Sequence, residues 1–187
     1  MNPHFIVKAS KGYYCATADF YLDPKQAVQH AIVSHAHADH AVAGSDNVYC
    51  TIATAAIMRL RHGVRAAKRF IIVETNKPFK IGSVEVSFHH AGHILGSVQV
   101  LLNDNGVKYL YSGDLLLQDN PTCDATEFVK ADVLITETTF ANPQYIHPSP
   151  KLVIDDLISS SPGKITIGAY SLGKAQRLTA LLSASTE

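Results

Sequence analysis

Within seven residues the chain carries Ser34-His35-Ala36-His37-Ala38-Asp39-His40, an HxHxDH pattern. Imidazole nitrogen and carboxylate oxygen are donors that divalent metals such as zinc accept, and the small alanines between them let a loop wrap a cation. In an extended or turning segment His35 and His37 point the same way, while Asp39 and His40 turn toward a second position. Four donors packed this closely suit two adjacent metals. His93, in the stretch AGHILGS, and Asp114, in YSGD, offer the same chemistry. Each alone reads as a structural histidine or an Asx-turn aspartate, and each joins the set through its company.

Composition sets the frame for these residues. The chain has 187 residues, 47% hydrophobic and 17% charged, with 16 basic and 16 acidic side chains cancelling to zero. Such a chain builds one ordinary core and is not of the disordered class, which needs low hydrophobicity and high net charge. Three scattered cysteines, Cys15, Cys50 and Cys123, with no CxxC spacing, exclude a disulfide framework and a thiolate zinc cluster. No apolar run reaches membrane-spanning length and the first residues lack a signal-peptide pattern, so the expectation is a cytoplasmic protein with no membrane partner. Zero net charge leaves any nucleic-acid contact to local features.

The elements that must position the donors follow from pattern. Residues 13–23 read as two short strands ending at Asp23-Pro24, and 31–35 as a buried strand that runs directly into the histidines. Residues 48–52 read as a strand. Thr54 is a fitting N-cap for a two-turn helix that closes at Gly63. Strands follow at 69–74, 84–90, 97–103 and 107–112, the last two joined by an Asn105-Gly106 hairpin turn, and another at 131–137. Helical spacing marks 151–160, a strand 164–170, and a helix from Leu172 onward. Antiparallel hairpins giving way to a βαβα alternation predict an α/β or α+β sandwich whose organisation changes near 143–150.

The series HxHxDH, HxxGS and SGD, each at a strand end, resembles the metallo-β-lactamase superfamily. The segments ITETTF (135–140) and IGAYSLGKAQRL (167–178) are similar to the β-CASP nucleases, especially the bacterial ligase-associated DNA exonucleases and mRNA 3′-end processing factor-like proteins. ADFYLDP and HAHADHA fit that branch, and the resemblance runs over about residues 12–182. It implies an αββα sandwich, incomplete here, with residues 1–147 a metallo-β-lactamase-like domain and 148–187 the start of a β-CASP-like segment. It implies two Zn2+, with Mn2+ possible: His35, His37 and His93 on one, Asp39 and His40 on the other, Asp114 bridging. Asp23 matches the family's first acidic position, orienting a ligand histidine from behind; Asp19 is a weaker candidate. Glu137 matches the acid that supports a proton-donating histidine. That histidine and a last zinc ligand lie further along the family pattern and are not in this sequence. His147 matches no family motif and reads as a plain loop residue.

Two metals activate a water to hydroxide and stabilise charge on a phosphodiester, and Asp39 is placed to hold that water. The expected function is therefore metal-dependent phosphodiester hydrolysis of DNA or RNA, as in RNA processing or DNA repair. A metal-binding but inactive module is the first alternative, and a small-molecule hydrolase of the glyoxalase II or lactamase type the second. Arg59, Arg61, His62, Arg65, Lys68 and Arg69 could track phosphates, as could Lys174 and Arg177 near a helix start, though a solvated helix face explains them equally well. A shortened chain predicts an exposed apolar patch near 165–182, and with it a homodimer or a complementing chain.

Overall fold

The computed structural model describes residues 5–161 and 163–185. Alternating apolar residues along short strands give each strand one face for a core, and they assemble into two sheets. The first has six strands in sequence order: β1 (Ile6–Ala9), β2 (Gly12–Cys15), β3 (Phe20–Leu22), β4 (His30–Ile32), β5 (Ser45–Cys50) and β6 (Ala67–Ile72). β1 to β3 form an antiparallel meander, whereas β3, β4, β5 and β6 run parallel. The second sheet takes β7 (Phe79–Ile81), β8 (Val84–His90), β9 (Val98–Asp104) and β10 (Val107–Tyr111) as antiparallel neighbours, and β11 (Val133–Ile135) joins β10 in parallel.

Phe20, Leu22 and Ile32 of the first sheet share a core with Val86, Phe88, Val100 and Leu102 of the second. On the opposite face of the first sheet, Ala31, Val48 and Cys50 meet Ala55 and Met58 of helix α1 (Ile52–His62). α2 (Pro150–Ser160) and α3 (Lys174–Ser185) pack chiefly on each other. The result is the expected mixed α/β sandwich in partial form. Among the described residues no helix is long and apolar enough to cross a membrane.

Three local expectations change. The N-cap of α1 is Thr51, not Thr54: its Oγ1 accepts the Thr54 amide at 3.3 Å, one turn earlier than the alanine-rich run suggests. Strands β4 to β6 pair in parallel, not as hairpins, because the 33–44 loop carries the chain back between β4 and β5 and α1 between β5 and β6. Residues 164–170 form no strand; Ile165, Ile167 and Tyr170 are 38, 39 and 76% exposed. Alternation alone does not make a strand, which needs a partner strand, and these residues pair with none of those described. Leu152, Val153 and Ile158 on α2 are exposed as well. The short edge strands β1 and β7 carry too few residues for a periodic signal.

Phe88 is fully buried between the sheets. Phe88→Ala is expected to lower stability by about 3–5 kcal/mol, read as a lower urea midpoint at unchanged slope.

Candidate metal centre

The donors sit on loops that leave neighbouring strand ends. The 35–40 loop follows β4, His93 lies between β8 and β9, and Asp114 follows β10. Ser34 fastens these loops together. Its carbonyl accepts the Val98 amide at 2.9 Å, tying the histidine loop to the start of β9. Gly113 lies against it from β10 in left-handed backbone, φ 55°, and a Cβ there would fall 2.7 Å from Ser34 Oγ. Only glycine permits that approach, which sets Asp114 beside His35. Arg61 Nη1 donates to the Ala36 carbonyl at 2.7 Å and so holds the loop between its first two histidines.

Four donor atoms converge. His37 Nδ1 stands 3.1 Å from both His35 Nε2 and His93 Nε2, and Asp114 Oδ2 stands 3.6 Å from the first of these and 3.5 Å from the second. A tetrahedral zinc with bonds of about 2.0–2.1 Å has ligand–ligand edges of about 3.3–3.4 Å, so the donor set and its spacing fit such an ion. Asp114 divides its oxygens, since Oδ1 faces His40 Nε2 at 3.2 Å. Asp39 Oδ2 lies 3.6 Å from the same nitrogen, on a side chain 73% exposed. This second group of three donors is open to solvent on the Asp39 side.

The proton positions of these rings follow from their outer partners. Asp23, 5% exposed, accepts from the Ser34 amide at 2.7 Å, Ser34 Oγ at 2.5 Å, Tyr111 Oη at 3.0 Å and His40 Nδ1 at 2.8 Å. With its hydroxyl proton given to Asp23, Ser34 Oγ accepts from His35 Nδ1 at 3.0 Å, which leaves His35 Nε2 a bare lone pair. The Leu172 carbonyl can only accept, so His37 Nε2 donates to it at 3.2 Å and His37 Nδ1 is likewise bare. Two imidazole lone pairs thus face each other at 3.1 Å, an arrangement that a cation between them stabilises. Asp23 also lies near His35 and His40 as a donor atom, but with four hydrogen bonds already accepted it serves as their anchor.

Other candidates fall outside the cluster or have internal work. Glu137 Oε1 accepts the Leu115 amide at 2.8 Å and so braces the loop carrying Asp114. Asp19 takes the Tyr14 hydroxyl at 2.8 Å, on the surface. Arg59 lies over the Phe70 ring, 4.6 Å from its centroid, and Lys174 over Tyr170 at 4.8 Å. Arg177 donates to the Asp119 carbonyl at 3.1 Å. His147 packs its ring on Phe140. Ser34, Tyr111 and Leu172 were not among the expected residues. Ser34 adjoins the motif, whereas Tyr111 and the Leu172 carbonyl carry no sequence signal at all.

Burial pushes His35 down to about 3, and it lowers His93 too. Burial also opposes charge on His40, but hydrogen bonds to Asp114 and Asp23 outweigh it and hold that ring up at about 10. Burial would raise Asp114, yet the His40 bond and the neighbouring imidazoles draw it well below the carboxylate range. An unfolded chain protonates His35 near 6.5 and the folded chain only near 3, so between these values the folded state binds fewer protons. His40 is protonated in both states below about 6.5 and adds no slope there; its contribution is lost as pH rises through about 10. The urea midpoint of the metal-free protein should therefore fall as pH drops from about 6.5 to about 3, the window set by His35. A flat midpoint across that window would contradict the buried neutral cluster.

No protein-family model matches the chain. A probable DNA ligase from Opitutus terrae is 36% identical over 96% of this chain and 18% of its own length. An RNase J-like protein from Methanocaldococcus jannaschii is 29% identical over 84% of this chain and 44% of its own. The transcription termination factor FttA of Methanothermobacter thermautotrophicus is 26% identical, with 90% and 32% covered. In fold, the chain is similar to a solved protein of unknown function from Enterococcus faecalis V583, with a TM-score of 0.55 at 17% identity over 82% of this chain and 44% of that one. The chain spans less than half the length of each of these relatives. With these homologues, its partial two-sheet fold and its ordered histidine and aspartate motifs, the chain belongs to the β-CASP group of the metallo-β-lactamase superfamily.

Proposed function

We propose that this chain is the metal-holding part of a phosphodiester hydrolase that cuts DNA or RNA. His35, His37 and His93 would hold one zinc, Asp39 and His40 a second, and Asp114 would reach both; manganese suits the more oxygen-rich second position. The observation that carries this reading is the convergence of donor atoms of His35, His37, His93 and Asp114 at tetrahedral edge lengths. Metals bound there supply Lewis acidity at a phosphoryl oxygen and lower the pKa of a water to near neutrality.

The chain's own residues do the rest. Asp23 fixes His40 directly and His35 through Ser34, so both rings already aim Nε2 at the centre, and His40 would release its Nε2 proton as a metal binds. Asp39, exposed beside His40, is placed to accept a hydrogen bond from the attacking water and orient it. Glu137 keeps Asp114 in place through the next amide. A cavity of about 330 Å³ opens at this side, with Asp39, His40, Asp114 and Glu137 among its lining and Lys8, Lys25 and Tyr13 also on its wall. Two lysines beside a carboxylate-rich centre suit a ligand that repeats negative charge, such as a polynucleotide, better than a single-charge thioester or lactam. The names of the relatives, an RNase J-like protein and a probable DNA ligase, point to the same substrate class.

Zinc content and cleavage of labelled single-stranded DNA and RNA test the reading together. The expected result is two metals per chain and cleavage that depends on them, with His37→Ala losing the first metal and cleaving at background. Equal zinc in wild type and His37→Ala would remove its basis; uptake without cleavage would make the chain a binding module. In the active protein, Lys8→Ala with Lys25→Ala should raise KM for an oligonucleotide several-fold. Turnover of bis(p-nitrophenyl) phosphate, which has no neighbouring phosphate, should change less than twofold.

A further inference from the structure

We infer that the Leu172–Gly173 turn is a positioning element of the histidine cluster, so that docking of the segment 171–185 and metal loading favour one another. The inference rests on the reading of that cluster as a metal centre. The turn reaches the site across 135 positions of sequence, where the Leu172 carbonyl accepts from His37 Nε2 at 3.2 Å. That bond fixes which nitrogen of His37 carries its proton. It therefore fixes that Nδ1, the atom 3.1 Å from both His35 and His93, arrives with its lone pair free.

The turn is shaped for this approach. Gly173 adopts φ 83°, and a Cβ on it would lie 2.3 Å from Ile94 Cγ2, next to His93, and 3.7 Å from His37 Nε2. No other residue allows the backbone so close. Gln176 locks the turn from within α3, since its Oε1 accepts the Gly173 amide at 2.7 Å and its Nε2 donates to the Ser171 carbonyl at 3.0 Å. A second clasp runs from the same helix: Arg177 holds the Asp119 carbonyl at 3.1 Å, and the adjacent Asn120 donates to the His93 carbonyl at 3.1 Å. The start of α3 thus bears on two of the three histidines. Coupling of this kind is reciprocal, so a metal that needs His37 in this tautomer must also stabilise the docked turn.

Zinc affinity, measured by competition with a chromophoric chelator, and the Co2+ absorption spectrum test the inference on Gly173→Ala. Gly168→Ala is the control, because a Cβ there meets nothing within 4 Å. Loss of an outer partner of a ligand histidine weakens metal binding about 10–100-fold, and that loosening, with an altered Co2+ spectrum, is expected for Gly173→Ala alone. Hydrogen exchange on the wild-type chain needs no variant: zinc should slow the amides of 173–178. A folded Gly173→Ala with wild-type affinity and spectrum, or exchange indifferent to zinc, would overturn the inference while leaving the metal centre standing. A wild-type chain that takes up no zinc would overturn both.

Discussion

The site depends on one buried carboxylate. Burying an ionised aspartate costs several kcal/mol unless hydrogen bonds replace its water, and Asp23 accepts four, from Ser34 twice, His40 and Tyr111. Those donors come from both sheets. Tyr111 ends β10, Ser34 follows β4, and Asp23 itself follows β3 in left-handed backbone at φ 41°. A non-glycine residue held there, buried and fully bonded, is a local strain that the surrounding contacts over-determine. Removing the carboxylate would leave the Tyr111 hydroxyl and Ser34 amide without acceptors and His40 and His35 without their orientation.

From that anchor the arrangement of the strands makes chemical sense. Parallel pairing of β3 with β4 puts the residues after both strands at the same end of the first sheet, where Asp23 meets the 35–40 loop. The second sheet brings His93 and Asp114 to that end through the close contact of Gly113 with Ser34. The apolar core between the sheets holds these loop roots at fixed separation, and the loops need supply only the donors. Desolvation at the root then keeps His35 neutral, while His40, wedged between two carboxylates, stays charged in the metal-free chain. The cluster therefore contains both the bare nitrogens and the compensated charge that a divalent ion can exploit.

Much of this was legible in the residues. The HxHxDH run, His93 and Asp114 stood out by type and by their place at strand ends, and the chain brings all six side chains together. The Asn105-Gly106 turn and the Gly63 cap were legible because each needs positive φ, here 52° and 91° in the turn and 57° at the cap. What escaped depends on tertiary placement. A backbone carbonyl such as that of Leu172 has no residue signature. Residues 164–170 alternate like a strand yet pair with no strand among the described residues. Arg59 and Arg61 stand out by charge alone, and their contacts in the fold, one over Phe70 and the other on the Ala36 carbonyl, carry no sequence signal. Charge in a sequence does not say which way the side chain turns.

In the proposed function three imidazole nitrogens and Asp114 would hold one zinc. X-ray absorption at the zinc edge of protein loaded with one equivalent of metal tests it most directly. The expected spectrum shows a four-coordinate shell of nitrogen and oxygen at about 2.0 Å with the multiple-scattering pattern of several imidazoles, reduced by one ring in His93→Ala. A shell of oxygen alone, or a spectrum that His93→Ala leaves unchanged, would contradict it.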